Sequence, residues 1–88
     1  MSHLHEDKKI LNRVRRLKGQ IHAVEASLTQ QEPSCIDVLQ QVAAIKGAVN
    51  GLMNELIEEH LREHVIKDPE AVNEQDLQEF LKLLKRYS

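Results

Sequence analysis

The sequence of 88 residues predicts an all-α fold, a single domain built from three helices. Apolar residues recur at intervals of three and four over long stretches, which is the spacing of amphipathic helices. The chain has only three glycines and two prolines, and aromatic residues make up 2% of it, a composition that favours long helices over a β fold. We therefore expect one domain over residues 1–88, with residues 1–6 as a mobile N-terminal arm.

The first helix is predicted over residues 7–28. The apolar side chains of this helix lie along one line of its surface. They are Ile10, Val14, Leu17, Ile21, Val24 and Leu28. Gly19 falls in mid-helix, where glycine costs up to about 1 kcal/mol relative to alanine, so we expect a close helix crossing there. The polar turn at residues 29–33 is short, which predicts antiparallel packing of helices 1 and 2.

The second helix is predicted over residues 34–65, a length of roughly 48 Å. Ser34 can cap it, and Asp37 occupies the acidic position of a capping box. Two apolar stripes run along it, the first through Val38, Val42, Ile45, Val49, Leu52 and Leu56, the second through Leu39, Ala43, Asn50, Met53 and Ile57. Two apolar stripes predict that other helices pack against this helix on more than one side. Gly47 and Gly51 are small enough to let another helix approach closely.

The third helix is predicted to begin after Asn73, which can cap it. Residues 67–69 (Lys-Asp-Pro) end the second helix, and Val72 with Leu77 can form a hydrophobic staple. Its apolar face consists of Leu77, Phe80, Leu81 and Leu84. Three helices of this size make a thin core alone, so we expect other subunits to supply the rest.

Metal-capable side chains stand at the two ends of the second helix. Cys35 lies in its first turn, where the helix dipole favours a thiolate, and His60 and His64 are spaced so that both imidazoles leave one face. Cys35 and His60 are 25 residues apart, roughly 37 Å along a straight helix, so they cannot meet within one chain. Two copies packed antiparallel would unite them, and two-fold symmetry would form the site twice.

Charge is unevenly distributed, although the formal net charge is only −2. Six Lys or Arg residues and no acid occur from Lys8 to Val24, whereas nine acids occur from Glu55 to Glu79. The basic helix indicates an anionic partner, and the absence of interleaved aromatic residues argues against single-stranded nucleic acid. Taken singly, a free cysteine is often a buried hydrophobe and a basic run is often a solvated face. A thiol and a histidine pair that only a dimer can unite, together with one strongly basic helix, favour a functional role for these residues.

Several classes of protein are disfavoured by the sequence. No stretch is apolar enough to span a membrane, and no secretory signal is visible. The one cysteine allows no intrachain disulfide, and a free thiol fits a reducing cytosol, so we expect a cytoplasmic protein without membrane association. No nucleophile, base and orienting group form a catalytic set, which argues against an enzyme.

Three stretches carry a resemblance to a known family: RVRRLKGQ at 13–20, LQQVAAIKGAVNGLM at 39–53 and EHLREH at 59–64. Nearly the whole chain is similar to the copper-sensitive-operon repressor family, named CsoR/RcnR/FrmR after its metal- and aldehyde-responsive members. The resemblance implies a three-helix protomer, an antiparallel four-helix-bundle dimer core and a dimer of dimers. It also implies a repressor that binds double-stranded operator DNA and releases it when an effector binds.

The resemblance narrows the choice of effector. Copper-sensing members carry a second cysteine at the position of His64, and persulfide-sensing members need two thiols. Formaldehyde-sensing members have an N-terminal proline where this chain has Ser2, and His5 has no role in the resemblance. The match to nickel- and cobalt-sensing members implies metal ligands at Ser2, His3, Cys35, His60 and His64. Ni(II) or Co(II) is the implied effector, and Zn(II) is expected to bind as well.

Operator DNA would be bound through basic residues, and its release would derepress metal-resistance or efflux genes. The residues expected to face phosphate are Lys8, Lys9, Arg13, Arg15, Arg16, Lys18 and Lys46. Two other hypotheses stay open. One is a formaldehyde-responsive repressor that uses Cys35, and the other is a metal-buffering helical bundle that does not bind DNA.

Overall fold

The computed structural model of the protein describes residues 7–66 and 68–87. Over these ranges the chain forms α1 (Lys8–Leu28), α2 (Cys35–His60) and α3 (Glu74–Arg86), and no strand. The last predicted turn of the second helix, Leu61–Val65, is wound as a π-helix, and Pro69–Ala71 form a 3-10 turn. The all-α prediction is confirmed, while the arm predicted at residues 1–6 lies outside the described residues.

Each of the three α-helices begins at a side-chain cap. The Asp7 carboxylate accepts hydrogen bonds from the N–H groups of Lys9 and Ile10 at 2.9 and 3.1 Å, so Asp7 precedes α1 as its cap. The predicted caps are confirmed, because Ser34 Oγ and Asn73 Oδ1 each accept from the N–H three residues on, at 3.3 and 3.1 Å. These bonds satisfy N–H groups that the first turn of a helix leaves unpaired.

The first two helices form an antiparallel hairpin, as the short turn predicts. Glu55, near the end of α2, binds two cations near the start of α1, with Oε1 at 3.1 Å from Lys9 Nζ and 3.4 Å from Arg13 Nη2. The buried or half-buried residues of α1 are Ile10, Arg13, Leu17, Gln20, Val24 and Ser27. The predicted apolar line of this helix is only partly covered within one chain, since Val14, Ile21 and Leu28 are 43%, 56% and 57% exposed.

Gly51 makes room for Arg13 between the two helices. A Cβ atom at Gly51 would lie 2.7 Å from Arg13 Nη1, so the guanidinium fills the space of the missing side chain. Among the residues that the structure describes, no atom lies within 4 Å of a Cβ built at Gly19 or Gly47. The close helix crossings expected at these glycines are therefore not made within one protomer.

The single chain has almost no enclosed core. Ile10, at 8% exposure, is the one buried residue among those the structure describes. The chain exposes 7215 Å², whereas a compact monomer of 10.1 kDa is expected to expose roughly 5,300 Å². Its radius of gyration is 17.0 Å, against about 12 Å for a compact chain of this length. These values agree with the thin core expected from the sequence.

One face of α2 is apolar and uncovered. The side chains on this face are Leu39, Val42, Val49 and Met53, between 44% and 64% exposed. The structure regroups the two predicted stripes, because Val42 is exposed while Ile45, assigned to the same stripe, is half-buried. Burial of apolar surface stabilises by roughly 25 cal/mol per Å², so this face favours packing against further protein.

The third helix is attached to the end of the second through Arg62. Its Nη1 and Nη2 donate to the two carboxylate oxygens of Glu74 at 2.8 and 3.1 Å, and Nε donates to Glu58 Oε2 at 3.0 Å. These contacts raise the pKa of Arg62 and lower the pKa of Glu74. A bidentate pair of this kind fixes the orientation of both partners, so Arg62 links the π turn to the start of α3.

The Arg62–Glu74 pair makes stability depend on pH. Because the folded-state pKa of Glu74 lies below its ordinary value, the pair stabilises the fold fully above that ordinary value. Its contribution is lost as the pH falls through the lowered pKa, where Glu74 takes up a proton.

We expect Arg62→Ala to loosen α3 without disturbing α1. The variant removes two hydrogen bonds to Glu74 at the start of α3, and a third, to Glu58, that holds the Arg62 side chain on α2. The amides of α3 should then exchange roughly twofold to fivefold faster, as for loss of an exposed ion pair. Hydrogen exchange at neutral pH measures the effect, with Arg86→Ala as a charge-matched control at the far end of α3. Equal exchange rates in wild type and Arg62→Ala would contradict the attachment.

Candidate metal centre and DNA-binding surface

Cys35 presents a free thiol at one end of α2. It is the first residue of that helix, directly after the Ser34 cap, and it is exposed. The thiol therefore stands where the helix dipole favours negative charge. Its exposure leaves it accessible to a metal ion or an electrophile, and in the single chain it is not the small buried hydrophobe that a lone cysteine often is.

His60 and His64 form a pair at the other end of α2. Both side chains are exposed, and their ring centroids are 5.1 Å apart with the planes inclined by 37°. Imidazole nitrogens bind divalent metals at about 2 Å, so two neighbouring exposed rings can share one ion with small rotations. The spacing that suggested a ligand pair thus corresponds to two adjacent rings.

The π turn around His64 is a feature that sequence reasoning missed. His60 ends the α-helical part, and the turn that follows is closed by a hydrogen bond from the Ile66 N–H to the Leu61 carbonyl at 2.7 Å. Turns of this kind are rare and frequently occur at functional sites. No residue type within Leu61–Val65 signals one, so only the backbone geometry could have found it.

The predicted ligands do not meet within one chain. Cys35 and His60 are separated by the length of α2, roughly 37 Å, in a molecule whose longest dimension is 58 Å. Among residues 7–66 and 68–87, no three His, Cys, Asp or Glu side chains are grouped so that they could hold a metal ion. Ser2 and His3, the remaining predicted ligands, lie outside the described residues, as does His5.

Several acids lie close to one another near the end of α2. Burial is the largest cause that raises the pKa of Glu59, and the neighbouring acids Glu63, Asp7 and Glu58 raise it further. The smaller contributions mean that these carboxyl groups lie near Glu59. Negative charge at this end of the helix favours the approach of a cation to the exposed imidazoles.

The basic residues fall into two groups. The first is exposed and forms no ion pair with another described residue; it comprises Lys8, Arg15, Arg16, Lys18 and Lys46. The second consists of Lys9 and Arg13, which both bind the Glu55 carboxylate. The sequence did not separate these groups. Only the residues of the first group can bind an anion without breaking the contact to Glu55.

These features define a class of small helical-hairpin proteins. One helix carries an exposed cationic surface, the other carries metal-capable side chains at both ends, and apolar faces are left open. The chain belongs to the family of metal-sensitive transcriptional repressors, whose sequence profile matches residues 6–86. This is a family of transcriptional regulators rather than of enzymes.

Relatives and a solved structure support the family over the full chain. An uncharacterised protein in the bioA 5′ region of Serratia marcescens is 47% identical, covering 99% of this chain and 98% of its own length. The transcriptional repressor RcnR of Salmonella paratyphi B is 46% identical with the same coverage. A variant of the formaldehyde-responsive regulator FrmR of Salmonella enterica serovar Typhimurium is 43% identical over 92% of both chains, with a TM-score of 0.65. No helix in the described part of the chain is long and apolar enough to cross a membrane.

Proposed function

We propose that this protein is a cytoplasmic repressor that binds operator DNA and releases it on binding Ni(II) or Co(II). The observation that carries the proposal is the distribution of ligands along α2. An exposed thiol at Cys35 stands at one end, and an exposed pair of imidazoles, His60 and His64, stands at the other. Membership of a metal-sensitive repressor family supports a regulatory role for these groups.

The metal site is assembled from two chains. In an antiparallel dimer, the Cys35 thiol of one protomer lies beside His60 and His64 of its partner, and the symmetric arrangement forms two such sites. The uncovered apolar face of α2 gives such a dimer a surface to bury. Pairing of two dimers into a tetramer extends the same principle, because a thin protomer is stabilised by burial against further copies.

The choice of metal follows from the donor set. A single thiolate among nitrogen ligands is less suited to Cu(I), which prefers soft sulfur, than to Ni(II) or Co(II). Ser2, through its amine, and His3 complete the coordination when the N-terminal arm folds over the site. Zn(II) binds as well but prefers four ligands, so it need not recruit the arm. Membership of a family of metal-sensitive repressors supports a metal as the effector.

DNA binding depends on the cationic surface of α1 together with Lys46. The exposed members of this set contact phosphate directly, and phosphate contacts provide affinity without reading sequence. Metal binding favours a shape of the oligomer that fits DNA less well. The free energy by which metal shifts the equilibrium between the two shapes equals the difference between their free energies of metal binding. The genes released from repression encode metal resistance or efflux.

The test is DNA binding measured with and without each candidate effector. Operator duplexes are first selected from a random library with the metal-free protein, and release is then titrated with Ni(II), Co(II), Zn(II), Cu(I) and formaldehyde. The proposal expects tight binding without metal and release by Ni(II) or Co(II). Binding that neither metal weakens would contradict it.

A second candidate is a formaldehyde-responsive repressor in the same fold. The 43% identity to a formaldehyde-responsive regulator and the exposed thiol of Cys35 favour it. In this reaction the Cys35 thiol and an amine each give up one hydrogen and the C=O bond of formaldehyde breaks. One water leaves, and the carbon remains as a methylene group bonded to sulfur and to nitrogen. Mass spectrometry after stoichiometric aldehyde separates the candidates, since a Cys35-to-amine methylene bridge supports this function and unmodified protein rejects it.

A metal-buffering bundle without a DNA role is the third candidate. A protein that neutralises six or more phosphates should lose orders of magnitude in DNA affinity between about 50 and 200 mM salt. Absence of duplex binding at low salt, combined with retained metal binding, would favour the buffer.

A further inference from the structure

Glu55 pairs internally with two of the cations assigned to DNA. Lys9 Nζ and Arg13 Nη2 approach the same carboxylate oxygen, Oε1, at 3.1 and 3.4 Å. The side chains of Glu55 and Arg13 are only 22% and 33% exposed. The pair is therefore partly shielded from solvent, where ionic contacts count for more than on an open surface.

Arg13 is held incompletely by this contact. The 3.4 Å from Arg13 Nη2 to Glu55 Oε1 is long for an N–H···O hydrogen bond. The Nε of Arg13 is buried and has no hydrogen-bond partner within the described part of the chain. A guanidinium carries five donors in a fork that matches two phosphate oxygens at once. A phosphate would thus satisfy more of Arg13 than Glu55 does.

The surroundings give the guanidinium room to turn away. It lies over Gly51, where a Cβ would approach Nη1 to 2.7 Å. Arg13 and Gly51 both border an open cleft of about 480 Å³, which Glu55, Glu79 and Lys82 also line. Reorientation of Arg13 therefore needs no movement of the helices.

We propose that Glu55 is an internal counter-ion that competes with DNA phosphate for Lys9 and Arg13. The inference rests on the proposed DNA binding and adds that this competition limits the affinity for DNA. A phosphate that takes these cations must displace the Glu55 carboxylate, which then repels it. Glu55 keeps the affinity for DNA below what the positive charge of α1 alone would give.

Glu55→Gln tests the proposal with a short random-sequence duplex as the probe. The amide keeps the shape of the side chain and removes its charge. We expect binding about tenfold tighter at low salt, the size of one charge-assisted hydrogen bond. The slope of log affinity against log salt should steepen by about 0.9 for each cation that reaches a phosphate. Glu32→Gln removes the same charge from an exposed position in the turn between α1 and α2 and should change affinity by less than about twofold.

Two further variants make the test independent of folding and of overall charge. Gly51→Ala leaves the charge unchanged and displaces the guanidinium from Glu55, so it should also tighten binding. Glu55→Gln should gain less in an Arg13→Ala background, because one of the released cations is missing.

The possible outcomes separate this inference from the proposed function. Wild type that shows no salt-dependent duplex binding rejects the proposed function, and the inference with it. Wild type that binds, while Glu55→Gln and Gly51→Ala bind no tighter than Glu32→Gln, rejects the inference alone. Weaker binding by Glu55→Gln also overturns it, because Glu55 would then position the cations rather than compete for them.

Discussion

Cys35→Ala should weaken the binding of Co(II) by about a hundredfold or more and abolish metal-driven release of DNA. Loss of a group that only hydrogen-bonds to a metal ligand already costs up to about a hundredfold in metal affinity, so loss of a ligand should cost at least as much. Cys35 is the one cysteine in the chain, so the variant removes every thiolate ligand. The absorption that arises from charge transfer between sulfur and Co(II) should disappear. Binding of DNA by the metal-free protein should persist, because Cys35 is not among the residues that contact phosphate in the proposal.

A histidine control distinguishes ligand loss from general damage. His22 is exposed on α1, far in sequence from the pair at His60 and His64. His22→Ala should retain the Co(II) spectrum and affinity, whereas His60→Ala should lose both. A Cys35→Ala protein that keeps wild-type Co(II) affinity and spectrum would show that the thiol is not a ligand.

The double variant Arg15→Ala, Arg16→Ala should reduce DNA affinity by roughly a hundredfold at low salt, the effect of two charge-assisted contacts. Both guanidinium groups are exposed and make no ion pair with another described residue, so their removal costs no internal contact. The loss should be similar for operator and random duplexes, and the salt slope should fall by about 2 because each phosphate contact contributes roughly one.

A matched variant removes the same amount of charge elsewhere. Lys82 and Arg86 lie on α3 and are exposed. Lys82→Ala, Arg86→Ala should leave affinity within about threefold of wild type, since charges that make no contact act only through screened, long-range attraction. A loss by the α1 variant that is confined to the operator would mean that Arg15 or Arg16 reads a base edge instead of a phosphate.

Helix positions were predictable from the sequence because they depend on local chemistry. The side-chain oxygens of Ser34 and Asn73 cap the first turns of α2 and α3, and these signals fall within a few residues of the helix starts. The opposite placement of Cys35 and His60 follows from helix rise alone. Residue spacing therefore indicates that a site containing both must be shared between chains, although it does not show how the two chains contact each other.

Which face of each helix is covered was less predictable, because it depends on how the hairpin crosses. Apolar spacing places Val14 on the apolar line of α1, yet within one protomer it is exposed, while Arg13 is half-buried. The reason is a contact over 42 residues of sequence, from Arg13 to Glu55, made possible by the missing side chain at Gly51. Periodicity within one helix contains no information on such a pair.

The measurement that tests the shared metal site most directly is complementation between two defective chains. Cys35→Ala protein and His60→Ala, His64→Ala protein are unfolded together, refolded and titrated with Co(II), and native mass spectrometry confirms that mixed dimers form. Each mixed dimer holds one intact site of two, so we predict that about a quarter of the wild-type sites return, with the wild-type sulfur-to-cobalt absorption. Mixed dimers that form but bind no Co(II) above the level of either parent would contradict the antiparallel, two-chain site.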